Sequence, residues 1–299
     1  MVSISSWILA ARPRTLPLAL GATGMGNLLV FKSPDFSFIV FLLSVLTTVE
    51  LQILSNFAND YGDSIHGADG KNRKGPKRAV QSGEISPSNM KLAIIAFGGI
   101  SLVSGLILLW VSFHTNWSAF VPVLCIGLLA IAAAYFYTNG KKPYGYLALG
   151  DVSVFLFFGL VAVLTTSYLH TLQIHAADFL PAISMGFWST AVLNLNNMRD
   201  IESDHSAGKF TIPIKIGLFH AKVYQTILVI GGIITLILFC VFQKNWYTLG
   251  AFPGCFIMMN SLVGVWKTQE NSLLDRYLKP QALGTFLAVL GMAILKSFI

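Results

Sequence analysis

The chain has 299 residues, of which 55% are hydrophobic and only 11% charged, with a mean hydropathy of +0.68. Soluble domains carry about a quarter charged residues, so this composition excludes an ordinary soluble protein and points to one embedded in a lipid bilayer. The formal charge of +7 is then a matter of membrane sidedness, and no nucleic-acid partner is expected.

Apolar runs long enough to cross a hydrocarbon layer of roughly 30 Å recur near 16–32, 38–58, 90–112, 118–137, 146–169, 178–198, 217–242, 247–266 and 281–298. Their continuity predicts helices, because a spanning strand would alternate over about ten residues. The expected fold is an all-α polytopic membrane protein of about nine transmembrane helices, forming one domain over 1–299. The first run has no cleavage-site pattern and follows Arg12 and Arg14, so it reads as a retained span. With the N-terminus inside, all of the 20 Lys and Arg residues except Lys32, Lys244 and Lys296 fall on the cytoplasmic side. The positive-inside rule therefore predicts a cytoplasmic N-terminus and an outer C-terminus. Cys125, Cys240 and Cys255 lie in or beside apolar spans without metal-ligand spacing and read as packing residues.

Two connections are long, about 60–89 and 199–216, and both are predicted on the cytoplasmic side; a third, about 267–280, is shorter and mixed in charge. The first region carries Asn56, Asn59, Asp60, Asp63, His66 and Asp69, then Arg78. The second carries Asn194, Asn196, Asn197, Arg199, Asp200, Asp204, His205 and Lys209. In each, an asparagine-rich end of an apolar helix leads into carboxylates one helical turn apart, followed by a Gly-Lys pair, which suggests a duplicated helical unit framing one site. Asp60 and Asp63 are spaced i, i+3, and Asp200 and Asp204 i, i+4, so on helical backbone each pair projects from one face. Such carboxylates repel one another unless a cation lies between them, and hard oxygen ligands in ones and twos are how Mg2+ is held on a diphosphate. Unpaired amides at the end of an apolar helix are costly, so Asn56, Asn59 and Asn197 with their neighbours are expected to face a wet cavity. Arg78, Lys141, Lys142, Arg199 and Lys209 share that side and would neutralise a leaving diphosphate. Tyr135, Tyr137, Tyr144 and Tyr146 read first as interfacial belt residues, although the Tyr137 ring, turned to the cavity, could stabilise an allylic cation. Glu50 is a candidate functional carboxylate by its depth alone.

These residues resemble the UbiA superfamily of intramembrane prenyltransferases over essentially the whole chain. The superfamily's first motif, Asn-Asp-x-x-Asp-x-x-x-Asp, matches Asn59, Asp60 and Asp63 but meets Gly67 where its last aspartate belongs, with Asp69 a candidate substitute. Asp-x-x-x-Asp matches Asp200 and Asp204, and Tyr-x-x-x-Lys matches Tyr137 and Lys141. Within the superfamily the chain is most similar to the menaquinone-pathway branch, through Ala11-Arg12-Pro13-Arg14-Thr15-Leu16-Pro17, Gly75-Pro76-x-Arg78, Lys142-Pro143-Tyr144-Gly145-Tyr146 with Leu149-Gly150-Asp151, and Asn196-Asn197-Met198-Arg199-Asp200-Ile201. The resemblance implies a helical bundle around a cavity open to the cytoplasmic side, in a bacterial inner membrane. It implies Mg2+ held between diphosphate and Asp60, Asp63, Asp200 and Asp204, a polyprenyl diphosphate donor, and 1,4-dihydroxy-2-naphthoate as the acceptor, which loses carbon dioxide. The rivals are another aromatic acceptor, such as 4-hydroxybenzoate, homogentisate or a porphyrin, and an ion-coupled secondary transporter. Clusters at helix ends on one side of the membrane argue against the transporter, whose ion sites lie near the midplane.

Overall fold

The computed structural model describes residues 2–67 and 78–299. Each of the nine apolar runs is a helix among these residues: α2 (Leu16–Val30), α3 (Phe38–Ile65), α4 (Pro87–Phe113), α5 (Trp117–Phe136), α6 (Gly150–Thr171), α7 (Phe179–Arg199), α9 (Ile212–Gln243), α10 (Phe252–Lys267) and α11 (Asp275–Phe298). Two short helices, α1 (Ile4–Ala11) and α8 (Ile201–Ser206), sit at the site end. Among the described residues, eight segments are long and apolar enough to cross a membrane. The ninth, α2, has 15 residues, about 22 Å at 1.5 Å per residue, which leaves it shorter than the hydrocarbon layer. The chain is thus a multi-pass membrane protein.

The helix boundaries have local causes. Ser37, Ser86 and Asn116 cap α3, α4 and α5 by accepting the backbone N–H of Val40, Asn89 and Ala119. The apolar run predicted to start at 217 starts there because Gly217, at φ +78, breaks α9 and separates its first turn, Ile212–Ile216, from the spanning part. α6 carries a π-helical segment, Phe155–Val161, which widens the helix where Phe157, Phe158 and Val161 meet the cavity described below.

The surface is inverted relative to a soluble bundle. On α4, Leu92, Ile95, Val103, Ile107 and Trp110 are exposed at helical spacing while Met90, Ile94, Ser101, Ser104 and Leu108 are buried, so an apolar stripe faces outward to lipid. Inside, Met25, Met185, Trp188, Val229, Met258 and Met292 knit α2, α7, α9, α10 and α11 into one core. Several buried polar groups are paired across helices, which satisfies them where lipid supplies no partner. Ser184 donates to the Gly232 carbonyl at 2.7 Å, and Trp188 Nε1 to Val229 at 3.3 Å. Glu50, flagged by its depth, accepts a hydrogen bond from Ser104 and so joins α3 to α4.

Candidate functional site

α3 and α7 both end on the side of the bundle that carries the loops 78–86, 137–149 and 200–211. Asp60 and Asp63 lie in the last turns of α3. Asp200 is the break between α7 and α8, and the Asp204 N–H closes onto its carbonyl at 2.8 Å. All four carboxylates are buried, at 1 to 5% exposure. Loops pin the two helix ends together: the Phe210 N–H donates to the Tyr146 carbonyl at 3.0 Å beside a bridge between Leu147 and Phe210. This brings Tyr146 and Lys209 into the space between the acidic ends.

The two carboxylates of the first pair do different things. Asp60 accepts the backbone N–H of Ala79 at 3.1 Å and of Val80 at 3.2 Å, one on each oxygen, and so clasps that segment to α3. Asp63 faces the cavity, accepts the Tyr146 hydroxyl at 2.9 Å and pairs with Arg78 at 3.5 Å. The second pair divides in the same way. Asp200 is held on both oxygens by Arg199, at 2.8 and 2.5 Å, whereas Asp204 pairs with Lys209 at 3.3 Å through an oxygen that makes no hydrogen bond. Burial pushes the Asp204 carboxyl up to about 6 against the pull of Lys209, with Asp200 and Asp63 adding to the rise. Burial alone would lower Lys209, but Asp204, Asp63 and Asp200 together hold it above its ordinary value. Its ammonium also lies 5.7 Å from the centre of the Tyr146 ring.

The asparagines divide likewise. Asn56 donates to the Ala11 carbonyl at 2.8 Å and to Thr15 at 3.0 Å, which fixes the turn carrying Arg12 and Arg14 to the cavity wall. Asn59 accepts from Thr138 at 3.3 Å. Asn194 is spent on α9, through Ala221 and Gln225. Asn196 accepts from Arg199 at 2.8 Å, and Asn197 lines the cavity.

Tyr137 explains the Lys142–Asp151 motif. A Cβ on Gly145 would sit 3.0 Å from its ring and one on Gly150 2.7 Å from its hydroxyl oxygen, so this loop wraps the ring because both positions lack side chains. Tyr137 and Tyr144 line the cavity, and Tyr146 is bonded to Asp63; the belt reading holds for none of these three. Lys141 and Lys142 are exposed and do not line the cavity. Asp69 and the Gly75-Pro76 pair lie outside the described residues.

Asp275, in the first turn of α11, is a partner that the sequence reading missed. It accepts from Arg199 and lies 3.9 Å from Arg14, tying the N-terminal turn to the second acidic end. The mixed charge of the loop at 267–280 was the available signal.

The cavity has a volume of about 430 Å³. Its mouth holds Asp63, Asn59, Arg78, Lys209, Arg12 and Arg14, and its wall follows α3 as far as Ser44, about 28 Å along the helix. Beyond the mouth the lining is mostly apolar, with Leu102, Leu106, Leu109, Val123 and Leu169, interspersed with hydroxyls such as Ser44, Thr47 and Thr166. A charged, cation-rich mouth opening on a long, mostly apolar channel suits an amphiphile whose anionic head stays at the mouth.

Residues 19–294 match the model of the UbiA prenyltransferase family. The chain is 39% identical over 295 residues to the 1,4-dihydroxy-2-naphthoate octaprenyltransferase of Escherichia coli, covering 96% of this chain and 94% of the relative. It is 45% identical over 227 residues to the enzyme of the same name from Haemophilus influenzae, covering 75% and 73%. A solved structure of a UbiA homolog from Archaeoglobus fulgidus bound to DMAPP and Mg2+ shares the fold at a TM-score of 0.62 and 17% identity, covering 97% of this chain and 99% of that one. The chain belongs to the UbiA prenyltransferase family.

Proposed function

We propose, from this membership, that the chain transfers a polyprenyl group from polyprenyl diphosphate to 1,4-dihydroxy-2-naphthoate, with loss of diphosphate and carbon dioxide, to give demethylmenaquinol. The observation that carries the reading is the juxtaposition of two carboxylate–cation clusters at the mouth of a cavity whose depth is mostly apolar. The two named relatives supply the choice of acceptor.

Mg2+ fits the residues present. The donors are hard oxygens, and the Lys209 ammonium already stands among Asp204, Asp63 and Asp200 as a cation would. Among the described residues no three His, Cys, Asp or Glu side chains converge to enclose an ion, which suits a metal that binds one or two carboxylates and completes its shell with water and phosphate oxygens. Asp63 and Asp204 would hold it, with Asp60 and Asp200 behind them. The ion would supply charge neutralisation of the diphosphate as its bond to the prenyl carbon breaks.

The chain's own residues do the rest. Arg78 and Lys209 donate charge-assisted hydrogen bonds to the departing diphosphate. Asn59 and Asn197 keep the mouth polar, and the Tyr137 ring offers a π face to the positive charge that develops on the prenyl carbon. The apolar channel takes up the isoprenoid and keeps water from that carbon. Arg12 and Arg14, held at the wall through Asn56, provide positive charge for the carboxylate of the acceptor. The distribution of Lys and Arg supports a bacterial inner-membrane protein whose N-terminus and site face the cytoplasm, with residues 1–299 acting as one domain.

The test is prenyl transfer by the full chain in liposomes, with Mg2+ or EDTA and a panel of aromatic acids. Mg2+-dependent release of carbon dioxide with prenylated naphthoquinol is the expected result. Transfer to 4-hydroxybenzoate or homogentisate alone would overturn the acceptor, and no transfer to any acid would overturn the activity.

A further inference from the structure

The loop that wraps Tyr137 brings a second aromatic ring to the same place. Tyr144 lines the cavity and stands edge-to-face against Tyr137, with ring centres 5.4 Å apart and planes at 89°. The two rings make a right-angled corner in the wall. A tyrosine of the interfacial belt would turn its hydroxyl to water; Tyr144 turns its own inward. It donates to the Ala133 carbonyl at 2.8 Å, the same oxygen that accepts the Tyr137 N–H at 3.1 Å, and lies 3.0 Å from Ser153 Oγ. The single proton of that hydroxyl goes to Ala133, so Ser153 donates to it.

These bonds set the depth of the ring as well as its orientation. Ala133 lies one turn further into α5 than Tyr137, and Ser153 one turn into α6 from Gly150. Both line the cavity. Tyr144 therefore stands at the step between the charged mouth, with Asp63, Arg78 and Lys209, and the channel beyond it. Tyr146 is placed differently, because its hydroxyl is spent on Asp63 and its ring already has the Lys209 ammonium 5.7 Å from its centre. That leaves Tyr137 and Tyr144 as the tyrosine rings open to a further cation.

We propose that Tyr144 is a second catalytic residue of the prenyl transfer, an inference that rests on the activity proposed above. When the bond between the prenyl carbon and the diphosphate oxygen breaks, its electron pair leaves with the diphosphate and positive charge spreads over the allylic unit. A cation attracts a ring whose centre lies within about 6 Å, and the two ring centres are close enough for a charge in the corner to meet that condition for both. The tether also keeps the phenolic oxygen, which could otherwise trap the cation, engaged with Ala133 and Ser153.

The test is steady-state prenyl transfer by the full chain in liposomes, comparing the wild type with Tyr144→Phe, Tyr144→Leu and a series in which Tyr144 is replaced by phenylalanine carrying one, two or three ring fluorines. Fluorine drains the π face and leaves the shape of the ring nearly unchanged. Tyr144→Phe should keep most of the turnover, because the ring remains. Along the fluorinated series kcat should fall stepwise while KM for prenyl diphosphate stays level, the mark of an interaction made only in the transition state. Tyr144→Leu should lose about tenfold or more, the worth of a desolvated cation–π contact; if that variant does not fold, the fluorinated series decides. A kcat indifferent to fluorine, or a loss in Tyr144→Phe as large as in Tyr144→Leu, would refute the assignment. An effect confined to KM for the aromatic acid would also refute it and make Tyr144 a contact of the acceptor. Absence of transfer by the wild type is a different result, since it removes the activity itself and this role with it.

Discussion

The end of α3 and the α7–α8 junction carry the same kind of residues, yet each locks one carboxylate with different chemistry. At the first, Asp60 is engaged by two neutral backbone amides from the 79–80 segment. At the second, Asp200 is engaged by the fully buried guanidinium of Arg199, which is shared with Asp275. In both, the carboxylate one turn further on is left to face cations, Arg78 for Asp63 and Lys209 for Asp204. The contrast within each pair is one of partners: one aspartate is held by groups of the scaffold, and the other meets a cation that lines the cavity, Arg78 or Lys209. The means differ because the first has a loop to fasten and the second has a charge to compensate.

Removing the outward carboxylates should have the largest effect. Asp63→Asn or Asp204→Asn is expected to lower turnover by about 10²–10³-fold, the usual loss when a group that stabilises developing charge is deleted, with the fold retained by circular dichroism. A loss below tenfold would put the reacting group elsewhere. Next comes the lock of the second pair. Arg199→Met leaves Asp200 buried and uncompensated, which should cost about 3 kcal/mol or more of stability, read as a lowered unfolding midpoint in detergent; Asp275→Asn should cost less, since Asp275 is partly exposed. The lock of the first pair is weaker. Asp60→Asn keeps one acceptor and orphans one amide, so about 1–3 kcal/mol is expected, together with a raised KM for prenyl diphosphate as Arg78 loses its anchor.

The smallest effect is on pH. The ordinary aspartate value is 3.8 and that of Asp204 in the fold is about 6, so the folded chain binds this proton more tightly than the unfolded one. The contribution of Asp204 to stability is therefore present below pH 3.8 and lost as pH rises through 6. A divalent cation would relieve that loss. The gain in unfolding temperature on adding Mg2+ with pyrophosphate should accordingly grow between pH 5 and 7 in the wild type and be flat in Asp204→Asn.

Much of this architecture was legible because apolar length and continuity are local properties: all nine runs are helices, and even the start at 217 marks a real break at Gly217. The clustering of Asp63, Asp204, Arg78 and Lys209 was legible because both motifs carry their own cations. What could not be read was which partner each group meets across the bundle. Nothing in the motif of Asp60 shows that the Ala79 and Val80 amides reach it from the following loop. Tyr146 looks like a belt residue until its hydroxyl is found on Asp63, and Asp275 has no motif at all. Lys141 matches its motif, yet its side chain is exposed and away from the cavity. Such pairings depend on loop closure between segments far apart in sequence, which no periodicity records.

The measurement that bears most directly on the account is binding of Mn2+, a paramagnetic stand-in for Mg2+, to the full chain in the presence of pyrophosphate, compared across the wild type, Asp60→Asn, Asp63→Asn and Asp204→Asn. The account predicts saturable binding that survives Asp60→Asn and is lost in Asp63→Asn and Asp204→Asn. Binding lost in Asp60→Asn but kept in Asp63→Asn and Asp204→Asn would contradict it.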